Sequence, residues 1–220
     1  MTESNLDPPQ ASLTRQAMDR LRGEIIDCRL RPGETLAEGS TAQRLGLGKA
    51  PIRAALARLA EEGLVEAVPR RGWVVSLVTI RDIHEVFDLR LLLEPEAARR
   101  AAGRVASGDT MLAEARQRSM AAATLVERLE ARHDFHRRVA TLSGNERLAQ
   151  QIGRLLDESR RMMLLRPGQA GSDAPVGESL LLAMLEGRAA DAARAMHEAV
   201  WTSRTGVLAA LTAPEAGTVL

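Results

Sequence analysis

The stretch Lys49-Ala-Pro-Ile-Arg-Ala-Ala-Leu-Ala-Arg-Leu59 restricts this chain's fold more than any other. Ile52, Ala55, Leu56 and Leu59 recur at i, i+3, i+4 and i+7, which places them on one apolar stripe of a helix. Ala50, Arg53, Ala54 and Ala57 fall on the opposite side. Three alanines keep that side flat, and one guanidinium stands on it. A smooth face with an arginine fork suits the major groove of DNA, where bulky side chains would clash with base edges. Pro51 belongs in the first turn, where its missing N–H costs nothing. A solvated surface helix has the same pattern, so the neighbouring segments decide between the two.

Those neighbours predict a compact arrangement. Residues 12–30 are expected as a first helix, capped by Ser12, with Leu13, Ala17, Leu21, Ile25 and Ile26 as its stripe. Arg31-Pro32-Gly33 stops it. Glu34 to Glu38 leads into a short second helix up to Gly46, with Ala42 and Leu45 facing inward. Gly63 ends the third helix. Leu64–Val68 and Trp73–Val78 are β-branched runs around Pro69-Arg70-Arg71-Gly72, the pattern of a hairpin. Helix, helix, turn, helix, hairpin is the order of a winged helix, and Lys49, Arg53 and the Arg70-Arg71 tip would then meet one duplex.

Arg31-Pro-Gly-Glu34, Leu36-Ala-Glu38, Leu45-Gly-Leu-Gly-Lys-Ala-Pro-Ile-Arg-Ala-Ala-Leu56, Leu59-Ala-Glu-Glu-Gly-Leu64 and Pro69-Arg-Arg-Gly72 resemble the winged-helix domain of GntR-family transcription regulators. The resemblance is nearly continuous over residues 25–78. It implies DNA contacts from Lys49, Ala50 and Arg53 at the start of the recognition helix, and a wing tip at Arg70, Arg71 and Gly72 that approaches the minor groove. Three positions depart from the family pattern: Gly48-Lys49 for the usual Arg or Ser-Arg, Ala54 for Glu, and Gly39 for Arg.

From residue 81 the periodicity is helical almost to the end. Segments are expected at 80 onward, with Pro95 inside, then 109–126, 128–142, 146–165, 178–186 and 188–211. Ser143-Gly-Asn-Glu146 has capping-box spacing, with Ser143 as the cap. Residues 166–175 form a Pro/Gly-rich break, expected as a flexible loop. The chain has no Tyr, two Phe and two Trp, so its core must come from Leu, Ala, Val, Ile and Met, which favours packed helices. The fold class expected is therefore mainly α: an N-terminal winged helix-turn-helix with a small β-hairpin and a C-terminal antiparallel α-helical bundle. The domain reading is a disordered tail over 1–11, a DNA-binding domain over 12–79, and an effector-binding and dimerisation domain over 80–213.

Asp88-Leu-Arg90 with Glu94, Phe135-His136, Ser143-Gly-Asn145 with Leu148, and Ala183, Gly187, Ala192 and Met196 resemble the effector domain of the FadR-type branch of the same family. Many members of that branch hold a divalent metal between helices with Asp-x-x-x-His and two later histidines. Only His136 matches here. The Asp position is Arg132, and the later histidines align with Gly177 and Ala199. A metal needs three or four converging ligands, so no metal and no cofactor are expected. Arg132, with His136 one turn on and Arg90 from the first bundle helix, is expected to anchor an anionic effector through charge-assisted bonds.

The function expected is a ligand-responsive DNA-binding regulator, a repressor of a catabolic operon released by a small organic acid. Its partners would be double-stranded DNA with a pseudo-palindromic operator, a small carboxylate, and a second copy of the chain as homodimer. An effector-independent architectural DNA-binding protein is the alternative. A helical-bundle enzyme fused to a DNA-binding domain ranks lower, because residues 81–220 are read as holding no Glu-x-x-His set of the di-metal bundle enzymes and no nucleophile–base pair; the chain is read as no enzyme. One cysteine, Cys28, fits a reducing cytoplasm. The N-terminus lacks the basic start and apolar run of a signal peptide, and no segment reaches the ~20 apolar residues of a membrane span.

Overall fold

The computed structural model describes residues 8–105, 110–165 and 176–211, with side chains from residue 12 onward. The chain divides into two compact units, Met1–Val78 and Thr79–Leu220.

The first unit holds α1 (Pro8–Ile26), β1 (Thr35–Leu36), α2 (Glu38–Leu45), α3 (Lys49–Glu61), β2 (Val65–Val68) and β3 (Gly72–Val75). Helix α1 starts at Pro8, earlier than the expected Ser12, which lies inside it. A proline suits a first turn because that N–H has no helical partner. The rest of the expected tail, residues 1–7, lies outside the described residues. Leu13, expected on the buried stripe, is 38% exposed, while Thr14 takes the inward position. Ala17, Leu21 and Ile25 of α1 are fully buried with Ile52, Ala55, Leu56 and Leu59 of α3. Burying each large aliphatic side chain contributes roughly 1.5–3 kcal/mol, and Leu56→Ala alone would cost about 2–5 kcal/mol. Gly46 adopts φ 67° after α2, and the Leu47 N–H closes on the Ala42 carbonyl at 3.0 Å.

The sheet order is β1-β3-β2, all antiparallel. Strand β3 pairs Leu36 with Trp73 on one side and Val65 with Val75 on the other. Two-residue β1 turns the expected hairpin into a three-stranded sheet.

The second unit is helical among the described residues: α4 (Ile80–Ala101), α5 (Met111–Ala121), α6 (Leu125–Leu142), α7 (Glu146–Leu164), α8 (Glu178–Leu185) and α9 (Ala189–Leu211). Helix α4 lies against α6, α7 and α9. Thr79 and Thr124 form reciprocal capping boxes with Asp82 and Glu127, which fix where α4 and α6 begin. Helix α7 is capped by Asn145, whose side chain accepts the Leu148 N–H at 3.1 Å. Ser143, the expected cap, instead ends α6, and its hydroxyl accepts the Asn145 N–H at 3.3 Å. Helix α4 runs unbroken through Pro95. The expected loop at 166–175 lies outside the described residues. No described helix is long and apolar enough to cross a membrane.

Candidate functional site

Within the first unit, α3 turns Ala50, Arg53, Ala54 and Ala57 outward, opposite its buried stripe. Lys49 opens the helix, and a Cβ built on Gly39 would lie 3.6 Å from Lys49 Cε. The lysine stem thus covers the position where the family pattern has Arg. Arg53 is held sideways: its Nε lies 2.9 Å from both carboxylate oxygens of Glu38, and its Nη2 lies 2.8 Å from Oε2. Trp73 Nε1–H donates to the same carboxylate at 3.4 Å. Hydrogen bonding from Arg53 outweighs burial and holds Glu38 below the usual carboxylate pKa.

The wing tip is a tight turn. The Arg71 N–H bonds the Val68 carbonyl at 3.1 Å, with Pro69 second and Arg70 third at φ 65°, as in a type II turn. That third position usually takes glycine, so an arginine there is strained. Gly72 has φ 84°, a conformation that L side chains rarely adopt, and an added Cβ would stand 3.4 Å from the Leu36 carbonyl oxygen, so glycine is favoured. Arg70 and Arg71 are exposed and, among the described residues, make no ion pair. Elsewhere in this unit Arg22 and Arg44 are neutralised by Glu62 and Glu24.

In the second unit, the unusual feature is charge inside the bundle. Arg90, Glu94, Arg132 and His136 are all at most 9% exposed. Such groups are rarely buried unless paired. Arg90 Nε meets Glu94 Oε1 at 2.5 Å, and its Nη1 donates to Ser159 Oγ at 2.9 Å. The other Glu94 oxygen, Oε2, bonds His136 Nδ1. Burial pushes the Glu94 carboxyl up, but the Arg90 guanidinium and the hydrogen bonds from Arg90 and His136 more than offset it, leaving a pKa of about 2. Burial also dominates at His136 and lowers its pKa despite Glu94. The imidazole is therefore neutral near pH 7. Since an ionised carboxylate only accepts, Nδ1 carries the proton and Nε2 is left as an acceptor. Arg132 Nη2 donates to Ser203 Oγ at 2.5 Å.

Arg132 and His136 both border a cleft of about 190 Å³, walled further by Gly177, Leu180, Glu198 and Ala199. They also border a smaller cavity of about 20 Å³ with Arg90 and Ser159, roughly the room of one water. The three expected anchor residues meet at the smaller cavity only; Arg90 does not border the larger cleft and is taken up by Glu94 and Ser159, and Glu94, Ser159 and Ser203 are partners that sequence reasoning did not assign to the site. Gly177 and Ala199, aligned with the missing histidines, do lie in the cleft wall. Carboxylate-bound Nδ1 is the usual support of a metal-ligating histidine. The remaining wall suits a cation poorly, because Arg132 brings positive charge, Gly177 and Ala199 bring no side-chain ligand, and Glu198 is the one carboxylate among the described wall residues. Among the described residues, no group of three or more His, Cys, Asp or Glu converges as a metal set. Contrary to the reading that no Glu-x-x-His set occurs in this half, Glu130 and His133 have that spacing, but they go to different partners: Glu130 pairs with Arg160, and His133 with Asp157. His197 is exposed and stacks on Trp201.

Residues 13–75 match the family described as "Bacterial regulatory proteins, gntR family", and residues 85–200, over half of the chain, match the FCD domain. The chain belongs to the GntR family. It is of the FCD type, and what matches is a family of regulators rather than enzymes. The HTH-type transcriptional repressor RspR of Escherichia coli is 32% identical over 103 residues, covering 47% of this chain and 45% of RspR. The chain thus spans under half the length of that relative in the match. The HTH-type transcriptional repressor GlaR of the same species is 30% identical over 155 residues, covering 64% of this chain and 68% of GlaR. Among solved structures, a GntR regulator of Rhodococcus sp. RHA1 aligns at TM-score 0.78 and 22% identity, covering 90% of this chain and 99% of that one. Escherichia coli McbR/YncC aligns at 0.75 and 20%, covering 89% and 97%. Both likenesses concern the fold.

Proposed function

We propose that this GntR-family chain is a sequence-specific DNA-binding regulator, acting in the cytoplasm as a repressor of a catabolic operon that a small carboxylate releases. The observation that carries the DNA reading is the outward face of α3, where three exposed alanines leave Arg53 and Lys49 as the reaching groups. The wing arginines add backbone contacts that fix register without reading sequence. A two-fold dimer would set two such helices about one helical turn apart on a pseudo-palindrome.

The effector reading is supported by the cleft at Arg132 and His136. A guanidinium gives a carboxylate two parallel donors. The bare Nε2 of His136 would accept an O–H or N–H from the same ligand. Coupling of about 1–3 kcal/mol between effector and DNA would change operator affinity roughly 5–150-fold, enough for a switch.

The test is capture of fragmented genomic DNA from the source organism by the purified protein, followed by titration of a carboxylate panel into the recovered complex. Sharp enrichment at a short inverted repeat, released by one acid, is expected. Uniform recovery with steep salt dependence would favour the architectural alternative. No recovery at low salt would overturn the proposal.

A further inference from the structure

We propose that Glu38 is a specificity-positioning residue, locking Arg53 so that its Nη1–Nη2 edge is presented to a single guanine. The inference rests on the DNA-binding reading and goes beyond it, because Glu38 itself need touch no base.

A guanidinium has five N–H donors in one plane. Glu38 takes the Nε–Nη2 edge of Arg53, at 2.8–2.9 Å. The planar geometry then turns Nη1 and the outer N–H of Nη2 away from the carboxylate. Those two donors are parallel, and guanine O6 and N7 accept such a pair. The Arg53 side chain is 70% exposed, against 24% for Glu38, so its far edge is accessible. An unpaired arginine on this surface would sample many rotamers and lose that freedom on binding. Pairing before DNA arrives removes much of that loss.

Glu38 is itself anchored from two directions. It is the first residue of α2, where the helix dipole favours a carboxylate. It also accepts Trp73 Nε1–H from β3, and β3 is tied to β1 through the Leu36–Trp73 register. Three elements therefore fix one side chain's orientation. Ala50, Ala54 and Ala57 beside Arg53 present nothing that would hold the duplex away. A carboxylate at this place lowers affinity for phosphate by repulsion, so Glu38 suits a role in choosing sequence better than one in binding strength.

The test is selection from a randomised duplex library by wild type, Glu38→Gln and Arg53→Lys, each sequenced. Thermal midpoints and affinity for a random-sequence duplex are measured alongside. Wild type is expected to select a motif with one strongly preferred guanine per half-site. In both variants that preference falls by about tenfold or more while the other positions persist. Glu38→Gln should bind the random duplex as tightly as wild type or more tightly, which a merely structural role would not produce. A Glu38→Gln motif identical to wild type, or one weakened equally at every position, overturns the proposal. Should that variant not fold, Glu38→Asp decides the matter: it keeps the charge at the start of α2 but draws the carboxylate back from Arg53, and an undiminished guanine preference in it overturns the proposal. A wild type that selects no motif is a separate failure, of the DNA-binding reading itself.

Discussion

Arg90 and Glu94 lie one turn apart on α4 and meet inside the bundle, with Nε 2.5 Å from Oε1 and both side chains 2% exposed. Removing one member leaves the other charged in a dry interior. Arg90→Met should destabilise the second unit by about 3–5 kcal/mol, because Glu94 then loses its principal partner. Urea unfolding of the variant would measure it. A loss under about 1 kcal/mol would mean that His136 alone can hold the carboxylate.

The same cluster sets an acid limit on stability. His136 and Glu94 both have lowered pKa values in the folded chain. For both, the unfolded chain binds protons more readily, so their contribution is present at neutral pH and is lost on acidification. The loss at His136 begins below about 6.5, its ordinary value, and that at Glu94 follows below about 4.3. The thermal midpoint should therefore decline from about pH 6.5 downward, and His136→Gln should flatten the upper part of that decline. A midpoint profile with wild type and variant in parallel would break the assignment.

If Arg132 is the proposed anchor, its loss should separate sensing from DNA binding. Arg132→Ala should abolish thermal stabilisation by whichever carboxylate stabilises the wild type, since mass-action stabilisation requires binding. Operator affinity should be unchanged, because Arg132 belongs to the second unit. Calorimetric scans with and without the acid, beside an operator titration, would check both halves. A variant that still responds normally would remove Arg132 as the anchor.

At the wing, strain and function should trade against one another. Arg70 holds φ 65° in a position where glycine carries no Cβ penalty. Arg70→Gly should gain up to about 1 kcal/mol of stability and lose affinity for DNA. Arg71→Ala should weaken binding about equally on all sequences and lower the salt slope by about one. Unchanged salt slopes in both variants would place the wing away from the phosphates.

Much of the fold was legible because its signals are local. The stripe of Ile52, Ala55, Leu56 and Leu59 is the buried face of α3, and the β-branched runs around Pro69–Gly72 are β2 and β3. What was misread had no period to read. Strand β1 is two residues long, too short to alternate. The start of α7 offered two polar residues within three positions, and Asn145 rather than Ser143 takes the cap. At the candidate site, residue types were readable but partners were not. Glu94 and His136 are 42 apart in sequence, Arg132 and Ser203 71 apart, and Arg53 and Glu38 15 apart. Only packing brings such pairs together, and no spacing rule announces them.

The replacement of a ligand position by Arg132 has a physiological consequence. A metal in a receptor is a second reactant, and its occupancy depends on the cell's supply and on every competing chelator. A guanidinium is part of the polypeptide and cannot dissociate. On the anchor reading proposed above, a sensor whose positive charge is supplied by Arg132 would answer to the concentration of its acid alone, and would give the same reading in a metal-starved cell as in a replete one.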